Sequence, residues 1–173
     1  KAEEEQVVKK KALSARGPGA YTDYIRPMLA KLADAPFDDP DWLYEIKWDG
    51  YRAIAELDGR NTRFYSRKGI SFDEAYPELF AALRKIRKRM VLDGEVVAFD
   101  EHGMPGFQQL QQYRQHKDTP LAYYVFDLLY LDGESVKDKP LLERKELLRS
   151  LLPDNELIRY CDHITGSGID FFK

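Results

Sequence analysis

Residues 42–49 constrain the fold more than any other stretch, because apolar and charged side chains alternate along them. Alternation with a period of two is typical of a β-strand that packs one face on a core. The apolar face would carry Trp42, Tyr44, Ile46 and Trp48. The opposite face would carry Leu43, Glu45, Lys47 and Asp49. Gly50 then lets the backbone turn, and we expect the strand to lie at the centre of a sheet.

The charged face of this strand allows two interpretations. It can be the solvent side of a half-exposed antiparallel strand, where lysine and glutamate are common. It can instead line a pocket, in which case Lys47, held between Glu45 and Asp49, would be an activated amine. Spacing alone favours the solvated strand.

The length and composition of the chain limit its class. With 173 residues, of which 43% are hydrophobic, it forms one domain, or one domain with a tail. No apolar run approaches the ~18–20 residues of a membrane span, and the charged N-terminus lacks the apolar segment of a signal peptide. The single cysteine, Cys161, excludes an internal disulfide framework, and three scattered histidines argue against a histidine metal site. We therefore expect a cytoplasmic protein without membrane contact.

The distribution of charged residues along the sequence distinguishes an N-terminal tail from the folded domain. Residues 1–20 are rich in lysine and glutamate and end in a Gly-Pro-Gly break, which predicts a charged linker or tail. The folded domain is expected over residues 21–173. The net charge of −3 excludes a protein whose whole surface binds nucleic acid, although it permits a local basic patch.

Beyond the first strand, hydrophobic periodicity and turn signals predict further strands and helices. Asp58 and Gly59 mark a hairpin, whose strands would run over residues 53–57 and 62–66. This hairpin would bring Arg67 back towards Lys47. Later strands are predicted over residues 90–99, 121–131 and 156–160. Helices are predicted over residues 77–89, 107–115, 141–152 and 169–173.

Four short motifs lie on these elements. They are Lys47-Trp48-Asp49-Gly50-Tyr51-Arg52, Ser66-Arg67-Lys68-Gly69, Leu92-Asp93-Gly94-Glu95 and the largely apolar segment 124–130. In this order and at these separations they resemble the motifs of the covalent nucleotidyltransferase superfamily, which contains ATP-dependent DNA ligases, RNA ligases and mRNA capping enzymes. The resemblance covers residues 24–173. It implies an α+β adenylation domain, in which antiparallel twisted sheets are flanked by helices.

Three features resemble one branch of the superfamily more closely. They are the segment 26–30 ahead of the lysine, Trp48 directly after it, and the segment 106–111. These resemble the bacterial multi-domain DNA ligases of non-homologous end joining, which often carry fused nuclease-like and polymerase domains and work with Ku. The implied partners are nicked or broken double-stranded DNA, Ku and those fused domains, at the bacterial nucleoid. Alternatives are an RNA ligase, a capping-type nucleotidyltransferase and a non-catalytic interaction module.

The resemblance makes Lys47 the catalytic nucleophile. Its amine would attack the α-phosphate of ATP, release pyrophosphate and hold AMP as a phosphoramidate for transfer to a DNA 5′-phosphate. Only a neutral amine is nucleophilic, and the ordinary lysine pKa is ~10.4. The nearby carboxylate of Asp49 would raise that pKa, so a divalent cation, Mg²⁺ or Mn²⁺, is expected to offset the acids.

The resemblance also implies six nucleotide contacts. Glu45 would meet the amino edge of adenine, next to Ile46, and Phe126 would stack on the base. Arg52 and Arg67 would bind ribose and phosphate, because guanidinium groups suit phosphate oxygens. Glu95 would lie near the ribose hydroxyl and hold the metal. Taken singly, Phe126 fits a core position and Glu95 a buried ion pair, and Asp93 and Asp127 are assigned as structural partners.

Two further motifs of such adenylation domains are expected after residue 164, and neither occurs between there and residue 173. One has the form E-G-x-V-x-K, and the other is a K-x-K pair that grips the α-phosphate. We therefore expect the N-terminal part of a ligase adenylation domain, truncated before these motifs and the OB-fold domain. Such a part should form the Lys47–AMP adduct poorly, whereas the full-length protein should form it well.

Overall fold

The computed structural model describes residues 24–113 and 118–173. The predicted linker over residues 1–20 and the end of the predicted helix over 107–115 lie outside the described residues. Within them the chain forms eight strands: β1 Leu43–Glu45, β2 Tyr51–Asp58, β3 Thr62–Ser66, β4 Arg89–Ala98, β5 Leu121–Leu131, β6 Glu134–Ser135, β7 Ile158–Tyr160 and β8 His163–Thr165. Four helices accompany them: α1 Pro77–Leu83, α2 Phe107–Gln112, α3 Leu141–Leu151 and α4 Gly168–Phe172. The predicted α+β fold is confirmed.

One sheet of six strands forms the centre of the structure. Its order is β3-β2-β4-β5-β6, and β7 also pairs with β5. All these pairs are antiparallel except β5 with β7, which are parallel. The exception to the predicted antiparallel arrangement follows from helix α3, which lies between β5 and β7 in the chain and supplies the crossover that a parallel pair needs.

The two faces of this sheet differ in what they bury. One face carries the large apolar cluster, to which helices α1, α2 and α3 contribute Leu79, Leu110 and Leu148. The other face has only a small cluster, which the segment around Tyr24 covers. Because side chains alternate along a strand, the polar members of the motifs on β2 and β4 lie on this second face.

The first strand is where the sequence-based prediction is wrong. Strand β1 has three residues, whereas the predicted strand extends over residues 42–49, and it pairs with β8 in a separate two-stranded sheet instead of lying at the centre of the main one. The backbone leaves the extended conformation because the N–H of Trp48 donates to the carbonyl of Ile46 at 3.1 Å, in a tight turn. Trp42 and Ile46, predicted to pack on a core, are 56% and 52% exposed.

The remaining elements differ from prediction mainly at their ends. Helix α1 stops at Leu83 instead of residue 89, because the last turn tightens: the N–H groups of Lys85 and Ile86 bond three residues back. Strands β6 and β8 were not predicted, and both are short. None of the helices formed by the described residues combines the length and the apolar character that crossing a membrane requires.

Candidate active site

Lys47 lies in the short connection between β1 and β2, and its side chain is exposed. This connection passes close to β4 at Gly50, whose backbone N–H lowers the pKa of the Glu95 carboxyl group. A Cβ atom at Gly50 would lie 2.0 Å from the carbonyl oxygen of Val96. Only glycine therefore lets the backbone pass this close to β4, and that passage holds Lys47 above the second face of the sheet.

Lys47 acts on a carboxylate of β4 that its own strand pattern does not indicate. The charge of Lys47 acts on Glu95, whose pKa it lowers. Glu45 was expected to flank the lysine, but its carboxylate accepts a hydrogen bond from Lys145. The strand ends at Glu45, so the alternation that placed the two side chains on one face does not continue to Lys47.

Arg52 at the start of β2 forms a bidentate ion pair with Asp93 of β4. Its Nε and Nη2 atoms donate to the two carboxylate oxygens at 2.6 and 2.7 Å. Asp93 is only 2% exposed, and its burial raises the pKa of that carboxyl group, which the guanidinium opposes. The assignment of Asp93 as a structural partner is confirmed, and the pair fixes the direction in which Arg52 points.

Phe126 lies directly beneath this arginine, and the strand geometry explains why. In the register of β4 and β5, Asp93 pairs with Asp127 and Gly94 with Val125, which leaves Phe126 as the extra residue of a β-bulge. Bulges redirect a side chain and are frequent beside active sites. The ring centroid of Phe126 lies 4.5 Å from the guanidinium carbon of Arg52, a cation–π contact.

The hairpin of β2 and β3 brings the second motif to the same edge. The N–H of Arg67 donates to the carbonyl of Arg52 at 3.2 Å, as the predicted register requires, and the Arg67 side chain is exposed. Ile46 and Lys47 follow β1 on the connection to β2. The structure thus gathers Glu45, Ile46, Lys47, Arg52, Arg67, Glu95 and Phe126 around one end of the sheet. Their contacts with a nucleotide stay predictions.

Two aromatic residues, Trp48 and Tyr124, lie next to this group of side chains. The indole of Trp48 stacks on the ring of Tyr124 in β5, with centroids 3.9 Å apart and planes at 23°. Tyr124 in turn lies within 3.4 Å of Arg159 through its hydroxyl. Sequence reasoning used Trp48 only as part of a motif, and the stacked pair explains why an aromatic residue after the lysine is useful: it ties the connection to β5.

Lys145 is a residue that sequence reasoning missed. It lies on helix α3, is fully buried, and its ammonium contacts Glu45 as well as the carbonyls of Phe126 and Cys161. A signal was present, because Lys145 follows Leu141 by four residues and precedes Leu148 by three, which places a charge on the apolar stripe of the helix. Its neighbour Arg144 pairs with Asp127 at 2.8 Å, which confirms Asp127 as a structural partner.

Glu95 is the acid best suited to hold a cation. Burial raises its pKa to about 7, the neighbouring Asp93 adds to the effect, and Arg52, the N–H of Gly50 and Lys47 oppose it. No group of three or more His, Cys, Asp or Glu side chains gathers anywhere in residues 24–113 and 118–173. One carboxylate completed by substrate phosphates is a usual arrangement for Mg²⁺, so this donor set fits a magnesium ion that arrives with a nucleotide.

Replacing Glu95 by glutamine should stabilise the protein at high pH. The folded-state pKa of about 7 lies above the ordinary value of 4.5. The stability that Glu95 contributes is therefore full below pH 4.5 and is lost as the pH rises through about 7. In urea titrations without nucleotide or divalent cations, E95Q should gain about 1–3 kcal/mol over the wild type at alkaline pH, because glutamine carries no buried charge. In acid the two should have equal stability.

The exposed Glu146 on helix α3 offers a matched control. E146Q should differ from the wild type by less than ~0.5 kcal/mol, because exposed side chains without special contacts contribute little to stability. A difference between E95Q and wild type that does not change with pH would contradict the assignment of a raised pKa to Glu95.

Comparison with known proteins decides the family. The family model described as "ATP dependent DNA ligase domain" matches residues 27–173. The chain belongs to this ligase-domain family. The match includes all four motifs and every residue assembled around Lys47.

Curated relatives point to the end-joining branch of the family. The "Multifunctional non-homologous end joining protein LigD" of Pseudomonas aeruginosa is 37% identical over 148 residues, which are 83% of this chain and 18% of that protein. LigD of Mycobacterium tuberculosis is 38% identical over 131 residues, covering 75% of this chain and 17% of that protein. This ligase-family chain thus spans about a fifth of the length of the curated LigD relatives that it matches.

Solved structures agree with the fold of this ligase-family chain. The crystal structure of the ligase domain from M. tuberculosis LigD superposes with a TM-score of 0.64 at 34% identity, over 75% of this chain and 42% of that one. A "mycobacterial DNA ligase D complexed with ATP and MES" gives a TM-score of 0.63 at the same identity and coverage.

Proposed function

We propose that this chain carries the lysine nucleophile of an ATP-dependent DNA ligase of the end-joining type and accepts AMP from ATP on Lys47. The observation that carries the proposal is one assembly: the connection bearing Lys47 passes against β4 at Gly50, beside Glu95, the Arg52–Asp93 pair and Phe126. These groups come from three strands and one connection. Their convergence at one end of the sheet is what adenylate transfer needs.

The chemistry assigns each group a task. The Nζ atom of Lys47 attacks the α-phosphorus, a P–N bond forms, and the bond to pyrophosphate breaks. One proton leaves the nitrogen, and because the side chain is exposed it can pass to solvent. Arg52, held by Asp93, and Arg67 contact ribose and phosphate, whereas Phe126 offers a stacking surface to the base, a contact worth ~1–3 kcal/mol in nucleic-acid complexes.

Magnesium, or manganese in its place, would be held by Glu95 together with phosphate oxygens. When bound, the ion neutralises phosphate charge and lowers the proton affinity of the lysine amine. At Glu95 a bound cation would favour the ionised carboxylate and so would oppose the effect of burial on its pKa.

The biological setting is proposed from the relatives. LigD proteins are named for non-homologous end joining, so the substrate is proposed to be nicked or broken double-stranded DNA, in the bacterial cytoplasm at the nucleoid. Ku and fused nuclease-like and polymerase domains are the proposed partners. Since the chain aligns with 42% of a solved ligase domain, we propose that residues 21–173 are the N-terminal part of the adenylation domain.

The test of this function compares two nucleotides. The chain is incubated with Mg²⁺ and either ATP or GTP labelled at the α-phosphate, and covalent label is mapped by mass spectrometry. We expect acid-labile label from ATP on Lys47, at low stoichiometry, and none from GTP. Transfer from GTP would instead indicate a capping-type enzyme, and no label from either, together with no nucleotide binding, would favour a non-catalytic interaction module.

A sealing assay separates the two remaining ligase types. The longer protein that contains this chain is given a nicked DNA duplex and an equivalent RNA substrate. Sealing of the DNA alone is expected. Sealing of RNA in preference to DNA would make the protein an RNA ligase.

A further inference from the structure

The ammonium group of Lys145 on helix α3 lies in the protein interior, beneath the end of the main sheet that carries the candidate active site. Lys145 is fully buried. Its Nζ atom donates to the Glu45 carboxylate, to the Cys161 carbonyl at 2.9 Å and to the Phe126 carbonyl at 3.3 Å. A lysine ammonium has three donors, so each is used. The ring of Tyr160, with its centroid 4.7 Å away, covers the same group.

These contacts join the two sheets of the structure. Glu45 belongs to the small sheet of β1 and β8, whereas Phe126 is the bulge residue of β5 in the main sheet. The resemblance to DNA ligases implies that Glu45 meets the amino edge of adenine, and the proposed function stacks Phe126 on the base. Lys145 therefore fixes the position of Glu45, at the edge of the nucleobase, relative to Phe126, at the face of the nucleobase.

The ammonium of Lys145 also fixes the orientation of the Glu45 carboxylate, because it bonds one of the two carboxylate oxygens. A buried ammonium needs a charged partner, and Glu45 is the carboxylate that it contacts. One carboxylate oxygen receives that bond, and the side chain keeps 26% of its surface exposed, so the other oxygen can face a ligand. An ionised carboxylate only accepts hydrogen bonds.

We propose that Lys145 is a positioning residue that sets base selectivity, by holding Glu45 as an accepting carboxylate aimed at the six-position of the purine. This inference rests on the proposed function. The 6-amino group of adenine donates to such an oxygen, whereas the 6-oxo group of hypoxanthine or guanine faces it acceptor to acceptor. A site that hydrogen-bonds one substrate group strongly rejects an analogue that lacks it.

The neighbouring residue provides a matched control. Arg144 lies on the same helix, is similarly covered, and pairs with Asp127 on the same strand β5, with side chains 12% and 15% exposed. It has no hydrogen bond or ion pair with Glu45 among its described contacts. Loss of Arg144 should therefore perturb the packing of α3 on β5 but should leave the Glu45 carboxylate beside the nucleobase unchanged.

The experiment measures dissociation constants for ATP and ITP in the wild-type chain, in K145M and in R144M. Methionine keeps most of the buried lysine stem and removes the charge. The wild type should prefer ATP, and this preference should fall roughly 10- to 100-fold in K145M, because Glu45 loses the partner that keeps it an oriented acceptor. R144M should keep the wild-type ratio. An unchanged ratio in K145M would overturn the inference.

A double-mutant cycle shows whether Lys145 acts through Glu45. E45Q should lose the preference for ATP, since an amide can turn either a donor or an acceptor to the base. Adding K145M to E45Q should then leave the ratio unchanged, and a further change would overturn the inference. If K145M alone does not fold, the double variant E45Q/K145M, which leaves no buried charge without a partner, still tests the inference: a retained preference for ATP in it would overturn the inference. Failure of the wild-type chain to bind ATP would overturn the proposed function itself, a result distinct from retained selectivity in K145M.

Discussion

Replacing Lys47 by arginine should abolish transfer of AMP to the chain while leaving ATP binding nearly unchanged. Arginine keeps the positive charge near Glu95 but does not lose its proton at any accessible pH, so no lone pair is available to attack phosphorus. We expect covalent label from α-phosphate-labelled ATP to fall by at least ~10³-fold, as for other deleted nucleophiles. Denaturing gels measure the label, and equilibrium titration measures the dissociation constant for ATP.

Lys88 provides the control for this experiment. It is exposed and directly precedes β4, at the end of the β2–β4 pair opposite to Arg52, because Asp58 pairs with Arg89 there. K88R should label like the wild type. If K47R still accepts AMP in an acid-labile bond, another lysine is the nucleophile, and the assignment of Lys47 is wrong.

The main sheet could be predicted because its signals are local. The hairpin of β2 and β3 has an Asp-Gly turn, and β5 is a long apolar run of the kind that lies buried on both sides. Once these strands are in register, Arg52 lies opposite Glu95. The predicted convergence of the motifs thus follows from strand pairing that these local sequence signals indicate.

The position of the first strand could not be predicted, because alternation specifies faces but not partners. Strand β1 pairs Glu45 with His163, far along the chain, and the register of such a pair depends on tertiary packing. The turn between Ile46 and Trp48 is also invisible in the pattern, since it lies within the alternation itself. The same limit applies to Lys145, whose partner Glu45 becomes apparent only when α3 and β1 are both in place.

Replacing Arg52 by methionine should destabilise the fold strongly, because it breaks the ion pair with Asp93. In R52M, the Asp93 carboxylate stays buried at 2% exposure without its bidentate partner. Removing one member of a buried ion pair costs ~3–5 kcal/mol. Since the Arg52 side chain is 28% exposed, water can partly replace it, and we expect a loss of about 2–4 kcal/mol in the free energy of unfolding, measured by urea denaturation at neutral pH.

The double variant R52M/D93N tests whether this cost arises from the pair. D93N alone should lose about 1–3 kcal/mol, because an amide cannot accept both guanidinium bonds. The loss of stability in the double variant should be smaller than the sum of the two single losses by at least ~1 kcal/mol, because no buried charge is left unpaired. The exposed pair of Lys139 and Glu143, with side chains 49% and 56% exposed, sets the baseline, and K139M should change stability by less than ~0.5 kcal/mol. If the losses in R52M and D93N simply add, Arg52 is not held by Asp93 in solution, and its guanidinium is free to reorient towards a nucleotide without first breaking an ion pair.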